Sequence, residues 1–127
     1  MPILDFYKYL ESADEIDITV TGKKTGNKIT LPIWFVKEGD KMVFLPVKGS
    51  ESHWFRNLQS IPTLTVSAGG SSVNATALIS EDSAKVKDAL GKFQEKYGTE
   101  DMRRYYSRFD VCVEVVLPKP GNRQTLP

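Results

Sequence analysis

The chain has 127 residues, of which 40% are hydrophobic and 26% charged, and this fits one domain that can bury a core without disulfides. Lys and Arg total 17 against 16 Asp and Glu, a near balance that argues against general nucleic-acid binding. A single cysteine and a single histidine exclude an intrachain disulfide and a multi-histidine metal site, so we expect no metal.

Two features of the sequence bear on location. No apolar run reaches the ~20 residues of a transmembrane helix. The N-terminal residues lack the basic and apolar regions of a secretory signal. We therefore expect a cytoplasmic protein without a transmembrane segment.

The first third of the chain predicts one helix and two strands. Residues 3–11 form a short amphipathic pattern, and residues 16–21 alternate between apolar and polar, as half-buried strands do. A basic loop at 22–27 reverses the chain into a second strand, 29–36, which ends at a tight turn of Gly39 and Asp40.

The middle third continues with a third strand, a helix and a fourth strand. Residues 41–47 predict a strand, and Pro46 indicates that its end is an edge or a bulge. Residues 51–60 predict a short helix for which Ser50 is a suitable N-cap, and 62–68 alternate as a strand.

The last third predicts a strand over 73–79, the clearest helix over 83–97, one or two helical turns over 101–108 and a sixth strand over 109–117. Residues 118–127 are expected to be a C-terminal tail outside a single domain of residues 1–117. Consecutive antiparallel strands closed by a late strand predict a small, mainly β barrel of the α+β class.

Lysines cluster at two glycine-containing loops. Lys23, Lys24 and Lys28 have no acidic neighbour in sequence, and Lys48 precedes Gly49 in the second loop. The spacing predicts that these cations reach one site between strands, which suits a phosphate or a carboxylate chain. A solvated hairpin turn is the competing explanation, and local chemistry alone favours it.

Several short segments, in this order, resemble the deazaflavin (F420)-dependent nitroreductase and quinone reductase family. They are 21–26, 31–36, Gly39-Asp40, Lys48-Gly49, 54–58 and Ile61-Pro62. The resemblance is dense over residues 18–68 and implies the split β-barrel of flavin-binding, pyridoxamine-phosphate-oxidase-like proteins. With the periodicity, it predicts a six-stranded antiparallel split β-barrel with short flanking helices.

The resemblance implies that coenzyme F420, a deazaflavin with a phosphodiester and an oligoglutamate tail, transfers hydride to a quinone or a nitroaromatic acceptor. It implies lysines at the tail and the ring against the segment from Pro46 to Gly49. The phosphodiester is expected near Lys28 and Thr30, or near backbone N–H groups of the Gly26 turn. The cofactor-binding residues expected on this basis are Lys23, Lys24, Lys28, Thr30, Pro32, Pro46, Val47, Lys48, Gly49 and Trp54.

Substrate and catalytic residues are less defined by the sequence. Tyr97, Tyr105 and Tyr106 partly match the substrate segment that the resemblance implies, with packing of the last helix as the alternative for the latter two. No catalytic residue is assigned. We expect His53 to be a surface group and Cys112 a packed strand thiol.

Three alternatives stay open. FMN, with a terminal phosphate that lysines would hold equally well, is the rival cofactor. A non-catalytic binding protein of the same fold is the second alternative, and Val47 favours it because the family has a hydroxyl side chain at this position. Whether the chain is an F420H2-dependent or FMN-dependent reductase is therefore open. The partners expected are a small-molecule cofactor and acceptor, and either a monomer or a homodimer fits.

Overall fold

The computed structural model describes residues 2–118. Its helices are α1 (Pro2–Leu10), α2 (His53–Ser60), α3 (Ser83–Tyr97) and α4 (Thr99–Tyr105). Its strands are β1 (Ile16–Thr21), β2 (Lys28–Ile33), β3 (Val36–Glu38), β4 (Lys41–Phe44), β5 (Thr63–Ala68), β6 (Ser71–Ser80) and β7 (Cys112–Val116). The predicted tail, 118–127, lies outside the described residues except for Pro118.

The strands form one antiparallel sheet in the order β2-β1-β5-β6-β7-β4-β3. The sheet is curled into a split barrel, which confirms the predicted mainly β, α+β fold. The predicted number of six strands is wrong, because the segment predicted as one strand over 29–36 is divided into β2 and β3. Within residues 2–118, no helix is long and apolar enough to cross a membrane.

The division between β2 and β3 has a visible cause at Phe35. Its N–H donates to the hydroxyl of Tyr97 over 3.0 Å, and its carbonyl oxygen accepts from the Lys96 Nζ over 2.8 Å. The Tyr97 hydroxyl is also within 2.7 Å of the Asp14 carbonyl oxygen, just before β1. The main chain of Phe35 therefore bonds to side chains at the end of α3 instead of continuing a strand ladder.

The two edges of the sheet, β2 and β3, are joined by Trp34 and Phe35 alone. Such a short link spans only about 11 Å from Ile33 to Val36, so the sheet must curl until its edges meet there. Tyr97 closes this seam. Away from it, β2 faces the segment 45–48 that follows β4, and the space between them is the split of the barrel.

The buried side chains form two clusters, one on each face of the sheet. The main core fills the concave face, where Phe6, Ile18, Phe44, Phe55 and Val66 are all fully buried. α1 and α2 contribute to this core. The second cluster lies under α3 and α4 and includes the buried Cys112, so the prediction of a packed strand thiol is confirmed.

Two local predictions fail around β4 and α2. The third predicted strand, 41–47, ends at Phe44. Ser50 does not cap α2, because a 3₁₀ turn from Gly49 to Glu51 intervenes and the helix begins after Ser52. The Ser50 hydroxyl donates instead to Asp110, over 2.5 Å.

Candidate functional site

The split of the barrel opens into a groove of about 700 Å³, within the range of about 300–1,000 Å³ typical of small-molecule sites. Its apolar lining consists of Ile29, Leu31, Pro32, Ile33, Trp34, Leu45, Val47 and Trp54. Its polar lining consists of Lys48, Ser52, His53, Asn57, Asp101, Tyr105 and Tyr106. An apolar groove with a few polar groups suits an amphipathic organic ligand.

The first wall is the inward face of β2. Ile29, Leu31 and Ile33 lie opposite Val20, Ile18 and Ile16 of β1 and continue their core-facing row. Among the described residues, β2 pairs on one side only, with β1, so this row faces the groove, and Ile29 remains 43% exposed. A single strand at an edge thus converts core-like side chains into a binding wall.

Strand alternation sends Lys28 and Thr30 away from this wall, whereas Pro32, near the end of the strand, still borders the groove. Lys28 Nζ donates to Thr21 Oγ1 over 2.9 Å, and the hydroxyls of Thr30 and Thr19 are 2.8 Å apart. Thr19 and Thr21 alternate with the buried residues of β1 and so lie on its outer face. Lys28 and Thr30 therefore lie on the opposite face of the sheet from the groove.

The second wall is the segment that follows β4. Val47 is 42% exposed and lines the groove with Lys48. Pro46 and Gly49 are buried and lie outside the lining. The Gly49 N–H donates to the Pro46 carbonyl oxygen over 3.0 Å, which closes a tight turn behind the wall.

The N-terminal half of α2 lies between the two walls. Trp54 is buried against Phe44, with ring centroids 6.5 Å apart, and still borders the groove. Ser52 accepts the Lys48 N–H over 3.0 Å. His53 is an exposed group as predicted, and it also borders the groove.

The basic loop at 22–27 is hydrogen-bonded to α2. The Lys23 N–H donates to Asn57 Oδ1 over 3.1 Å, and Asn57 lines the groove. Lys23 and Lys24 are exposed. The loop thus lies beside the groove, next to the end where Ile29 stands.

The end of the groove nearest the seam is aromatic. Trp34 stacks on Tyr97 with ring centroids 4.3 Å apart, and the ring of Tyr105 meets Trp34 edge-on at 5.8 Å. Tyr106 is buried, which raises its pKa, while Tyr105 is 52% exposed. Tyr97 lies behind Trp34 and outside the lining. Burial above all, with the Asp14 and Glu15 charges, raises its pKa to about 12 against the effect of its hydrogen bond to Phe35.

The structure thus brings together six of the residues selected from the sequence: Pro32, Val47, Lys48, Trp54, Tyr105 and Tyr106. Lys23 and Lys24 lie next to this group, while Lys28 and Thr30 lie on the other face. The β2 wall and Asp101 were not among the site residues predicted from the sequence. The alternation of Ile29, Leu31 and Ile33 is visible in the sequence, and Pro32 within the strand is the local signal that could have marked it as an edge.

Chemically, the groove offers apolar and aromatic surface with cations at its open end. Lys48 borders it, and Lys23 and Lys24 stand on the adjacent loop. Within residues 2–118, no three His, Cys, Asp or Glu side chains are grouped to hold a metal ion. The arrangement can hold a planar ligand with an anionic extension.

Solved structures with the same fold are named after different ligands. An F420-H2 dependent reductase is 24% identical, with 80% of this chain and 93% of that chain covered and a TM-score of 0.63. The heme storage protein HutZ of Vibrio cholerae is 14% identical, with coverages of 93% and 90% and a TM-score of 0.68. A FAD-binding protein of Mesorhizobium loti is 11% identical, with coverages of 91% and 89% and a TM-score of 0.65. At these identities the likeness shows the fold alone.

Sequence comparison supplies the family. A search of curated proteins finds no match. A family model described as "Uncharacterized protein conserved in bacteria (DUF2255)" matches residues 7–111. Since the match covers most of the chain and almost all of the split barrel, the chain belongs to this bacterial family.

Proposed function

We propose that the groove binds a flavin-type cofactor, with coenzyme F420 as the first candidate, and that the protein is a reductase of a small organic acceptor such as a quinone or a nitroaromatic. The observation that carries the proposal is the groove itself. It is apolar, has the volume of a cofactor site and has exposed lysines next to its open end. When bound, a deazaflavin supplies hydride transfer, so no side chain need act as a nucleophile.

The residues of the groove suit the parts of such a cofactor. Val47 and Trp54 offer apolar surface to a ring, and Lys48 offers a cation beside them. Lys23 and Lys24 offer cations to an anionic tail that leaves the groove past Asn57. Lys28 and Thr30 would be reached only by a tail that passes around the β2 edge. Pro46 and Gly49 support the wall from behind.

FMN is the alternative cofactor, because a terminal phosphate also suits Lys48 and the lysine loop. Val47 offers no hydroxyl to a substrate, which favours a third hypothesis, a binding protein without reductase activity. Titration of purified protein with F420, FMN, FAD and heme, followed by absorbance and fluorescence, separates the cofactors. Binding of FMN, FAD or heme without any response to F420 would overturn the first candidate.

Activity is tested with the reduced cofactor. We expect a quinone or a nitroaromatic to accelerate oxidation of bound F420H2 when the protein is present. Binding of F420H2 without acceleration by any acceptor would establish the non-catalytic alternative.

A matched pair of lysine variants tests the location of the site. Because Lys48 borders the groove and Lys28 faces away from it, we expect Lys48→Ala to weaken cofactor binding about fivefold to tenfold and Lys28→Ala to change it less than twofold. Isothermal titration at two salt concentrations gives both affinities. Equal losses in the two variants would place the anionic part of the ligand elsewhere.

A homodimer is proposed as a second feature of the same site. Ile29, Val47 and the aromatic residue Tyr105 of the groove are each more than 40% exposed, so a second copy that covers them would bury apolar surface. Sedimentation analysis with and without cofactor measures the oligomeric state. A monomer under both conditions would refute this part.

A further inference from the structure

One wall of the groove is held in place by a second segment of the chain, residues 107–110. The Ser107 N–H donates to the Val47 carbonyl oxygen over 2.9 Å, and Lys48 and Arg108 form an isolated β-bridge. Val47 and Lys48 border the groove, as does Leu45 of the same wall. Segment 107–110 follows α4, which supplies Tyr105, and so joins two sides of the site.

Asp110 anchors Ser50, which follows the wall in the 3₁₀ turn. Its Oδ1 accepts the Ser50 N–H over 2.9 Å, and its Oδ2 accepts the Ser50 hydroxyl over 2.5 Å. Arg108 Nε donates to the same Oδ2 over 3.0 Å, while Arg108 Nη1 donates to Glu51 over 3.2 Å. One carboxylate thus receives three hydrogen bonds and ties the 3₁₀ turn to the start of β7.

Gly49 shows how closely the two segments fit. Its φ is +57°, a left-handed conformation, and a Cβ at this position would overlap Asp110 Oδ1 and approach Arg108 Cγ to 2.8 Å. The carboxylate therefore occupies the space that a side chain at position 49 would need. Glycine is required here by contact within the chain.

The charge state of Asp110 fits this role. Burial by itself would raise its pKa, but the hydrogen bonds from Ser50 and Arg108, with the Arg108 charge, hold the pKa below its ordinary value. Asp110 stays ionised over the neutral range, and it lies outside the lining of the groove. Its influence on a ligand must therefore pass through Val47 and Lys48.

We infer that Asp110 is a positioning residue for the groove: by anchoring Ser50 beneath Gly49, it fixes Val47 and Lys48 in the orientation that receives the ligand. The inference rests on the proposed function for its ligand, but the anchoring can be measured without one. Loss of the anchor is expected to loosen the wall and weaken binding while the barrel stays folded.

Amide hydrogen exchange and ligand affinity in Asp110→Ala test this inference. We expect exchange of the Ser50 amide to accelerate at least about tenfold, and the Kd for F420 or FMN, whichever the wild type binds, to rise about tenfold. Glu114→Ala is the matched control, since this carboxylate belongs to β7 but pairs with Lys41 over 3.5 Å. The control should leave both quantities within twofold of wild type.

Ser50→Ala keeps the test decisive if Asp110→Ala does not fold, because this variant removes only the hydroxyl bond to Asp110. Exchange of the amide at position 50 and the Kd should then both rise, by a smaller factor than in Asp110→Ala. The dye 1-anilinonaphthalene-8-sulfonate, an apolar anion, serves as a ligand that does not depend on the cofactor assignment. If the wild type binds neither cofactor, the proposed function fails, and the dye and the exchange rates still test the anchor. Faster Ser50 exchange with unchanged affinity for every probe, or no change in exchange, would overturn the inference.

Discussion

Tyr97→Phe isolates the hydroxyl that closes the barrel seam. The hydroxyl accepts the Phe35 N–H over 3.0 Å, and its single proton is shared between the carbonyl oxygens of Phe35 and Asp14 at 2.9 and 2.7 Å. Phenylalanine keeps the ring that stacks on Trp34. The variant therefore removes the bonds and leaves the packing.

The expected cost follows from the group left without a partner. The part-buried Phe35 N–H loses its acceptor, which costs about 1–3 kcal/mol, while the Phe35 carbonyl oxygen keeps Lys96. We expect the free energy of unfolding to fall by about 2 kcal/mol and the Tm by about 8 °C. Urea unfolding followed by tryptophan fluorescence measures this loss. Tyr105→Phe, at a 52% exposed ring, is the control and should change stability by less than about 0.5 kcal/mol.

The same variant has a signature at alkaline pH. The pKa of Tyr97 is raised to about 12, while an unfolded tyrosine titrates near ~10, so the neutral phenol stabilises the folded state. This contribution is present below about pH 10 and is lost as the pH rises towards about 12. Stability of the wild type should therefore fall more steeply over that window than stability of Tyr97→Phe. Identical urea midpoints and alkaline slopes for both proteins would refute the role of Tyr97 at the seam.

Two further predictions concern the groove and the thiol. Val47→Asp should reduce cofactor affinity at least about tenfold without a large loss of stability, because it places a charge in the apolar groove at a 42% exposed position. The control Leu78→Asp, at a 55% exposed position outside the lining, should not change affinity. Equal effects in titrations of both variants would contradict the location of the site. The Cys112 thiol, only 1% exposed and with its pKa raised by burial above all, should react with a disulfide reagent about a hundredfold more slowly in native protein than in urea, and fast native labelling followed by absorbance would contradict its packing.

The parts of the fold that were predicted well carry their information locally. β1 was predicted at its observed bounds because apolar and polar residues alternate from Ile16 to Thr21. α3 was predicted at its observed bounds as well, since Asp82 caps its first turn and Gly98 follows its last residue. Neither element needs a distant partner to define where it begins and ends.

The break after β2 could not be predicted in the same way. Residues 29–36 are apolar apart from Thr30, and their pattern alone extends a strand through the whole segment. The interruption comes from Tyr97 and Lys96, which lie about sixty positions later in the chain and bond to Phe35. Only the packing of α3 on the sheet reveals that these two main-chain groups are already engaged.

The candidate site shows the same limit. Grouping the lysines by sequence placed Lys28 with Lys23 and Lys24, but strand alternation directs Lys28 to Thr21 on the outer face. Conversely, Leu31 and its neighbours on β2 have the pattern of a core strand. They become a wall of the groove because β2 is an edge of the sheet, which Pro32 indicates locally but only the whole topology establishes.

The two-residue link between β2 and β3 also determines which end of the groove is closed and which is open. Because Trp34 and Phe35 tie the sheet edges together at one end, the edges can diverge only towards the other end. The closed end is therefore aromatic, at Trp34, while the open end lies beside Ile29 and the loop that carries Lys23 and Lys24. For the proposed ligand, with a planar apolar part and an anionic chain, this gradient favours the orientation in which the apolar part lies inward. The seam that Tyr97 holds closed is thus also what gives the site its direction.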